Sequence, residues 1–204
     1  MVAHRQLALP SIIPQRWTIA STHLYSSLAY AFQGVQDGVL EEGTFYDSVD
    51  IEQHVMGDRE GVRRAWTTVD IIYIPARVCK DHWVACAVNI SDRKITVYDS
   101  LPSAHSEVEI KEAMQPLCIL LPHLLHHGRV YMEQTDLEDN TSPFNYIRPL
   151  EGIPHQAPES GDCGIFTLKF IEYLGLGRPF DFGPEHGPLF RRKIAVDLFV
   201  NELL

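Results

Sequence analysis

The first third of the chain carries apolar residues at helical spacing. Within residues 21–32 the pattern predicts an amphipathic helix that ends near Gly34. Residues 51–65 are a weaker helical candidate, because two glycines interrupt them. The segment before the first helix, residues 1–16, contains two prolines and is predicted to be an extended arm. The apolar positions of the first helix are Leu24, Leu28, Ala31 and Phe32.

The middle of the chain consists of short apolar and β-branched runs that are typical of strands. Residues 69–74 form the first run, which we expect to end at Pro75. Residues 83–90 are almost wholly apolar, as in a strand covered on both faces. A polar turn at 91–93 then leads into the alternating run Lys94–Tyr98. These two runs are predicted to pair as an antiparallel hairpin.

Helical spacing returns in residues 106–127, where we expect a helix capped by Gly128. Pro116 and Pro122 are predicted to kink or divide this helix, because proline lacks the backbone N–H that a helix interior needs. Residues 129–132 then predict a short strand. The polar, acidic stretch that follows, up to about residue 145, is predicted to be a loop.

Two further helices are predicted towards the end of the chain. Residues 165–174 are mostly apolar and indicate a buried helix, and residues 189–204 indicate an amphipathic one. In the second helix Phe190, Ile194 and Leu198 share one stripe. The order of helix, strands and helices predicts a single α+β domain over residues 17–204 rather than a repeating βαβ array.

Composition limits the classes of function. Hydrophobic residues make up 45% and charged residues 22% of the 204 residues, as in a globular protein. With 17 Lys and Arg against 27 Asp and Glu, the net charge of −10 argues against a nucleic-acid-binding protein. No apolar run has the length needed to cross a membrane, and the N-terminus lacks the layout of a signal peptide. The four cysteines are widely spaced, so we expect an intracellular protein with reduced thiols.

Cys163 is the first candidate for chemistry, because it directly precedes the predicted buried helix. The positive end of a helix macrodipole favours the thiolate, and the unpaired N–H groups of the first turn can hold an oxyanion. A single cysteine is far more often a core residue. The position therefore gains weight only from the residues that accompany it.

His82 and Asp99 are the residues that give it this weight. His82 enters the first strand of the predicted hairpin and Asp99 leaves the second, so their side chains are expected to be neighbours. A carboxylate beside an imidazole sets its tautomer and stabilises the imidazolium. The Gln156 amide is a candidate oxyanion donor. Together with Cys163, these residues suit thiol acyl transfer. We expect Asp99→Asn to lose far less activity than His82→Ala, because an amide can still hold the imidazole ring.

These motifs resemble the ubiquitin-like-protein-specific cysteine proteases, the SUMO (sentrin) protease family, which is structurally related to adenoviral protease. The motif sequences are most similar to those of the plant members, and the resemblance is strong over residues 66–174. The stretches that carry it are Trp66, 69–75, 81–83, 97–101, 154–156 and 161–170.

The resemblance implies a papain-like, adenain-type fold with a central mixed sheet flanked by helices. It implies hydrolysis after the Gly-Gly terminus of a ubiquitin-like modifier, SUMO above all, during precursor processing or release from lysine. The expected partners are this modifier and its conjugates, with no nucleic acid, membrane, metal or other cofactor, in a monomer of the nucleus or cytoplasm. Residue by residue, it assigns Cys163 as nucleophile, His82 as general base and acid, Asp99 as orienting carboxylate, Gln156 as oxyanion donor, and Trp83 and Trp17 as walls around the modifier's glycines.

One departure leaves alternatives open. The segment between Gln156 and Cys163 is one residue longer than in the family, which either bulges outward or moves Gln156 out of reach. The alternatives are an effector-type acetyltransferase with the same Cys-His-acid triad and a catalytically weak, transposon-derived relative that only binds a modifier. The histidines within residues 123–127 are assigned to a polar helix end and not to a metal site.

Overall fold

A mixed β-sheet organises the protein. The computed structural model describes residues 15–41, 45, 54–57 and 63–203, so most of the predicted arm and of the predicted 51–65 helix lie outside the described residues. The sheet runs in chain order, with its inner pairs antiparallel and both outer pairs parallel. Its strands within this part of the chain are β1 (Trp17–Ile19), β2 (Ile71–Val78), β3 (His82–Asn89), β4 (Lys94–Tyr98) and β5 (Asn145–Ile147).

Helices cover both faces of this sheet. Because side chains alternate across a strand, Ile72 and Ile74 enter one apolar core while Tyr73 enters another. The first core is closed by α1 and α2, and the second by α4 and α5. The predicted α+β fold is confirmed. The helices are α1 (Thr22–Gln36), α2 (Glu107–His127), α3 (Val130–Glu133), α4 (Cys163–Gly175) and α5 (Gly187–Leu203).

The predicted hairpin is confirmed with small shifts at its ends. β3 begins at His82 and pairs antiparallel with β4, with Asn89 opposite Lys94 beside the turn. The strand predicted for residues 69–74 is β2, which does not end at Pro75 as predicted but continues to Val78. Ala20, just past β1, donates its N–H to Tyr73, and β1 pairs no further along β2. Pro75 therefore turns its missing N–H to a side where the described residues supply no partner strand.

The prolines do not divide the long helix, which was one of the two effects predicted for them. α2 runs as one helix through Pro116 and Pro122. Pro122 cannot bond the carbonyl of Cys118, but the N–H of Phe144 donates to that carbonyl at 2.8 Å. The carbonyl freed by Pro116 belongs to the exposed Glu112, where water can pair with it. Tertiary contact and solvent thus replace the two lost helical bonds.

Three further predictions need correction. Residues 129–132 form no strand, because Arg129 adopts a left-handed conformation after the Gly128 cap and the chain enters the short helix α3. A short apolar run fits either period, so the pattern did not decide between them. β5 was not predicted, since its residues are mostly exposed. Leu198 does not share the buried stripe of Phe190 and Ile194 and is half exposed.

Candidate active site

Three strand ends bring His82, Asp99 and an arginine to one edge of the sheet. β3 begins at this edge, and β4 and β5 both end there because they run parallel. His82 opens β3, Asp99 follows β4, and Arg148 follows β5. The structure thus brings together the predicted pair of His82 and Asp99, and adds a cation that the sequence analysis missed.

The imidazole of His82 is buried and held by Asp99. Its Nε2 lies 2.7 Å from Asp99 Oδ1. An ionised carboxylate only accepts hydrogen bonds, so the neutral ring must carry its proton on Nε2. Nδ1 is then the free acceptor, which is the arrangement a general base requires.

Asp99 is fully buried and bonded through both oxygens. Oδ1 also accepts from the backbone N–H of Leu101 at 2.8 Å, and Oδ2 accepts from Arg148. Burial alone raises the pKa of Asp99, but the hydrogen bonds from His82, Leu101 and Arg148 outweigh it and lower the pKa below its ordinary value. The ionised Asp99 therefore stabilises the fold above that ordinary value, and this stabilisation is lost as the pH falls through the lowered one.

Cys163 is the first residue of α4, as its predicted place before a buried helix requires. The N-cap residue, Asp162, makes no capping hydrogen bond. Its carboxylate instead accepts from Arg191 Nε of α5 at 2.6 Å. Arg191 also bonds the carbonyls of Ser160 and Gly161, so the loop before the thiol is tied to α5. The first N–H groups of α4 are thereby left without the Asp162 cap and are available to an oxyanion.

The two tryptophans proposed as substrate walls lie at opposite ends of α4. Trp83 Cδ1 lies 3.8 Å from the position that a Cβ on Gly164 would take, directly beside Cys163. The Trp17 ring packs on Gly175, where a Cβ would come within 2.9 Å of it. Twelve helical steps of 1.5 Å separate Gly175 from Cys163, about 18 Å. The structure therefore brings Trp83, and not Trp17, to the Cys163 end of α4.

Gln156 is anchored beside Asp99 despite the longer segment that follows it. Ser100 Oγ donates to Gln156 Oε1 at 2.8 Å, and the Gln156 N–H donates to the Ser100 carbonyl at 2.9 Å. With its oxygen occupied, the amide presents Nε2 as a donor. In the longer segment that follows, Glu159 and Gly161 both have positive φ, as in a tight turn. A cavity of about 370 Å³ opens beside Gln156.

Ser100→Ala tests whether this anchoring matters for turnover. Without the Ser100 hydroxyl, the Gln156 amide can rotate, and we expect kcat to fall by about tenfold at unchanged KM, as for a partly lost oxyanion donor. Ser91→Ala is the matched control, because Ser91 also donates to an amide oxygen, that of Asn89, at the far end of the hairpin. Steady-state cleavage of a modifier fusion, the reaction that the sequence resemblance implies, measures both. Equal rates for Ser100→Ala and the parent would contradict the role.

The remaining thiols differ from Cys163 in their surroundings. Burial raises the pKa of Cys118 to about 11 and raises that of Cys86 further. Burial and the nearby carboxylates of Glu109 and Asp81 raise the pKa of Cys79, although Arg148 opposes them. All four cysteines are free thiols. The three other thiols are thus poor nucleophiles at neutral pH.

Two classes of feature are absent from the described residues. Among them, no group of three or more His, Cys, Asp or Glu side chains is placed to hold a metal ion. His126, within the histidine run, pairs instead with Asp139, with 2.8 Å between Nδ1 and Oδ1. In the same part of the chain, no helix has both the length and the apolar character needed to cross a bilayer.

Comparison with known proteins identifies relatives of this chain. Sentrin-specific protease 5 of Mus musculus is 28% identical over 183 residues, which cover 83% of this chain and 21% of that protein. The chain thus spans about a fifth of the length of the curated relatives it matches.

Solved structures share the fold. SUMO protease Ulp1 with its catalytic cysteine oxidised to a sulfenic acid aligns with a TM-score of 0.63 at 16% identity, covering 100% of this chain and 75% of that one. The C-terminal Ulp1 protease domain in complex with Smt3, the yeast ortholog of SUMO, aligns with a TM-score of 0.55 at 15% identity, covering 94% and 69%. Residues 1–201 match the family model described as "Ulp1 protease family, C-terminal catalytic domain". This match over nearly the whole chain shows that the protein belongs to the Ulp1 protease family.

Proposed function

We propose that the protein is a cysteine peptidase that cleaves after the C-terminal Gly-Gly of a SUMO-type modifier. The observation that carries the proposal is the buried His82–Asp99 hydrogen bond at the sheet edge, with Trp83, the next residue, lying over the start of the helix that Cys163 opens. A base with a defined tautomer, a thiol at a helix N-terminus and nearby oxyanion donors are the parts that acyl transfer needs.

The proposed reaction proceeds through a thioester. His82 Nδ1 takes the Cys163 thiol proton, and the thiolate attacks the carbonyl carbon of the last glycine. The first N–H groups of α4 and the Gln156 amide stabilise the oxyanion that forms. The imidazolium then gives its proton to the leaving amine as the C–N bond breaks. His82 next takes a proton from water, which attacks the thioester and releases the glycine carboxylate and the thiol.

Selectivity for glycine is assigned to Trp83. The indole Cδ1 lies 3.8 Å from the place of a Gly164 Cβ at the start of α4, where the scissile carbonyl must sit to meet both the thiol and the helix N–H groups. A residue with a Cβ would meet the indole, whereas an extended glycine can pass beside it. Since a lysine side-chain amine and a backbone amine leave by the same step, one site would serve precursor processing and deconjugation.

The proposed partner is a SUMO-type modifier together with its conjugates. The relative that aligns in complex with Smt3 supports this class of partner. We further propose that the protein acts as a monomer in the nucleus or cytoplasm and binds no nucleic acid, in agreement with its net charge of −10. Contacts between the folded body of the modifier and the protease, remote from the glycines, would supply the binding energy that positions the carbonyl.

The test compares modifier fusions ending in Gly-Gly and Gly-Ala in single turnover. We expect the alanine to slow cleavage by about 10²-fold or more, because misplacing the carbonyl by about 1 Å is costly. Trp83→Ala is expected to lose most of the rate and most of this selectivity. Trp17→Phe is the matched control, and its glycine selectivity should equal that of the parent. Equal rates on the two fusions would refute the glycine selectivity.

A panel of modifiers with C-terminal thiol-reactive warheads identifies the modifier. We expect SUMO-type probes to label Cys163 in preference to ubiquitin-type probes. Probe binding without cleavage of any fusion would favour the binding-only alternative. Transfer of an acyl group to an added amine in preference to water would favour the acetyltransferase.

A further inference from the structure

Arg148 is a buried cation whose guanidinium faces Asp99 instead of solvent. Its side chain is 4% exposed, and its Nε and Nη2 donate to Asp99 Oδ2 at 3.1 and 2.6 Å. Building on the proposed function, we propose that Arg148 is a positioning residue of the active site. It holds Asp99 ionised and oriented towards His82, and it sets the pH range in which the Cys163 thiol is reactive.

The contacts of Arg148 fix the orientation of the carboxylate. Because Arg148 occupies Oδ2, only Oδ1 is left for His82 and for the Leu101 N–H. The guanidinium is itself held in place by the carbonyls of Pro102 and His105, at 3.0 and 3.4 Å. A planar fork fixed at both ends prevents rotation of the Asp99 side chain. Because Asp99 cannot rotate, its hydrogen bond through Oδ1 also fixes the orientation of the His82 ring.

The charge of Arg148 acts on the same groups. A carboxylate without exposure needs a counter-charge to stay ionised. A positive charge in hydrogen-bond contact with Asp99 lowers the pH at which neighbouring acids lose their protons. Removal of Arg148 therefore moves these deprotonations to higher pH. Among the described residues, Glu107 pairs with Arg148, and Cys79 and Tyr146 lie close enough to interact with its charge. His105 lies beside His82 and is itself paired with Asp81 and Glu109.

Of these groups, Glu107 is the carboxylate nearest to Arg148 after Asp99. Its Oε2 lies 3.5 Å from Nη1, but its side chain is 65% exposed and solvent screens it. His105 lies beside His82, with 5.8 Å between the ring centres, and turns its nitrogens towards Asp81 and Glu109. Arg148 therefore acts mainly on Asp99.

A purely structural role for Arg148 is the competing explanation, since it also tethers the loop after β4. Arg93 offers a matched control at the opposite end of β4 and β5. It likewise donates to backbone carbonyls, those of Asn140 and Ser142, and stacks on Phe144. Arg93→Gln removes such a tether without touching Asp99. The loss of a tether would affect the Arg93 and Arg148 variants alike. An effect that acts through Asp99 would appear in the Arg148 variant alone.

The experiment follows the alkylation rate of Cys163 by iodoacetamide against pH, with mass spectrometry to identify the modified thiol. We expect Arg148→Gln to move the midpoint of the acid limb up by about one pH unit. Arg148→Lys keeps the charge, so its midpoint should stay near that of the parent while cleavage slows by about tenfold for the lost fork. Arg93→Gln should leave the midpoint in place. If Arg148→Gln does not fold, as judged by circular dichroism, Arg148→Met is the neutral replacement.

The outcomes separate this inference from the proposed function. An unchanged midpoint in the neutral Arg148 variant, or an equal shift in Arg93→Gln, overturns the role of Arg148. Alkylation needs no protein substrate, so it reads this role even if the parent cleaves no modifier. A shifted midpoint together with failure to cleave any modifier would refute the proposed function alone.

Discussion

Cys163→Ala is expected to lower cleavage by about 10⁵-fold or more while leaving modifier binding intact. The thiol is the nucleophile of the proposed reaction, so its removal stops the reaction before the acyl-enzyme. Alanine is the best helix former and fits the first turn of α4, so the fold should be preserved. Single-turnover cleavage measures the loss, and calorimetric titration with the modifier measures the binding.

Cys79→Ser is the control for this experiment, since Cys79 is also partly exposed. We expect it to cleave like the parent. Mild alkylation near neutral pH should modify Cys163 first, because burial and neighbouring carboxylates raise the pKa of the Cys79 thiol. Alkylation of Cys79 ahead of Cys163, with activity retained, would refute the assignment of the nucleophile.

Asp99→Asn is expected to be nearly as damaging as His82→Ala, with a loss of about 10³- to 10⁴-fold in kcat. The sequence alone favoured a mild effect, because an amide can hold the imidazole. The structure changes this expectation, since both oxygens of Asp99 are needed as acceptors, one by His82 and the other by Arg148. An amide has one oxygen. If it faces Arg148, its NH₂ group faces His82 Nε2 and imposes the wrong tautomer.

Removing Arg148 should relieve this conflict. In Asp99→Asn combined with Arg148→Met, the amide oxygen is free to face His82, and we expect about a tenfold recovery of kcat over Asp99→Asn alone. Arg93→Gln in the same background should give no recovery. A double variant that is slower than Asp99→Asn would contradict the tautomer argument, and His82→Ala in parallel marks the rate without a base.

The elements that the sequence predicted well are those whose signals are local. Apolar and polar residues alternate along β4, and apolar residues recur along α1 at helical spacing. Each of these periods is typical of one kind of element, so the pattern alone indicates a strand or a helix. Residues 129–132 carried too short an apolar run for a period, and the structure places residues 130–132 in a helix. The prolines of α2 misled for another reason. A distant residue, Phe144, bonds the carbonyl that Pro122 leaves free, and no local rule could supply that partner.

The sequence by itself determined which residues can do chemistry here and where most of them lie. A hairpin must return its second strand to the start of its first, so the proximity of His82 and Asp99 follows from local pairing. A helix start follows from local pattern too, which placed Cys163. Only the tertiary structure decided that Arg148 reaches Asp99, that Ser100 holds Gln156, and that Trp17 lies far from the thiol. Each of these placements depends on how the elements pack together, and packing depends on side chains far apart in the chain that no single segment contains.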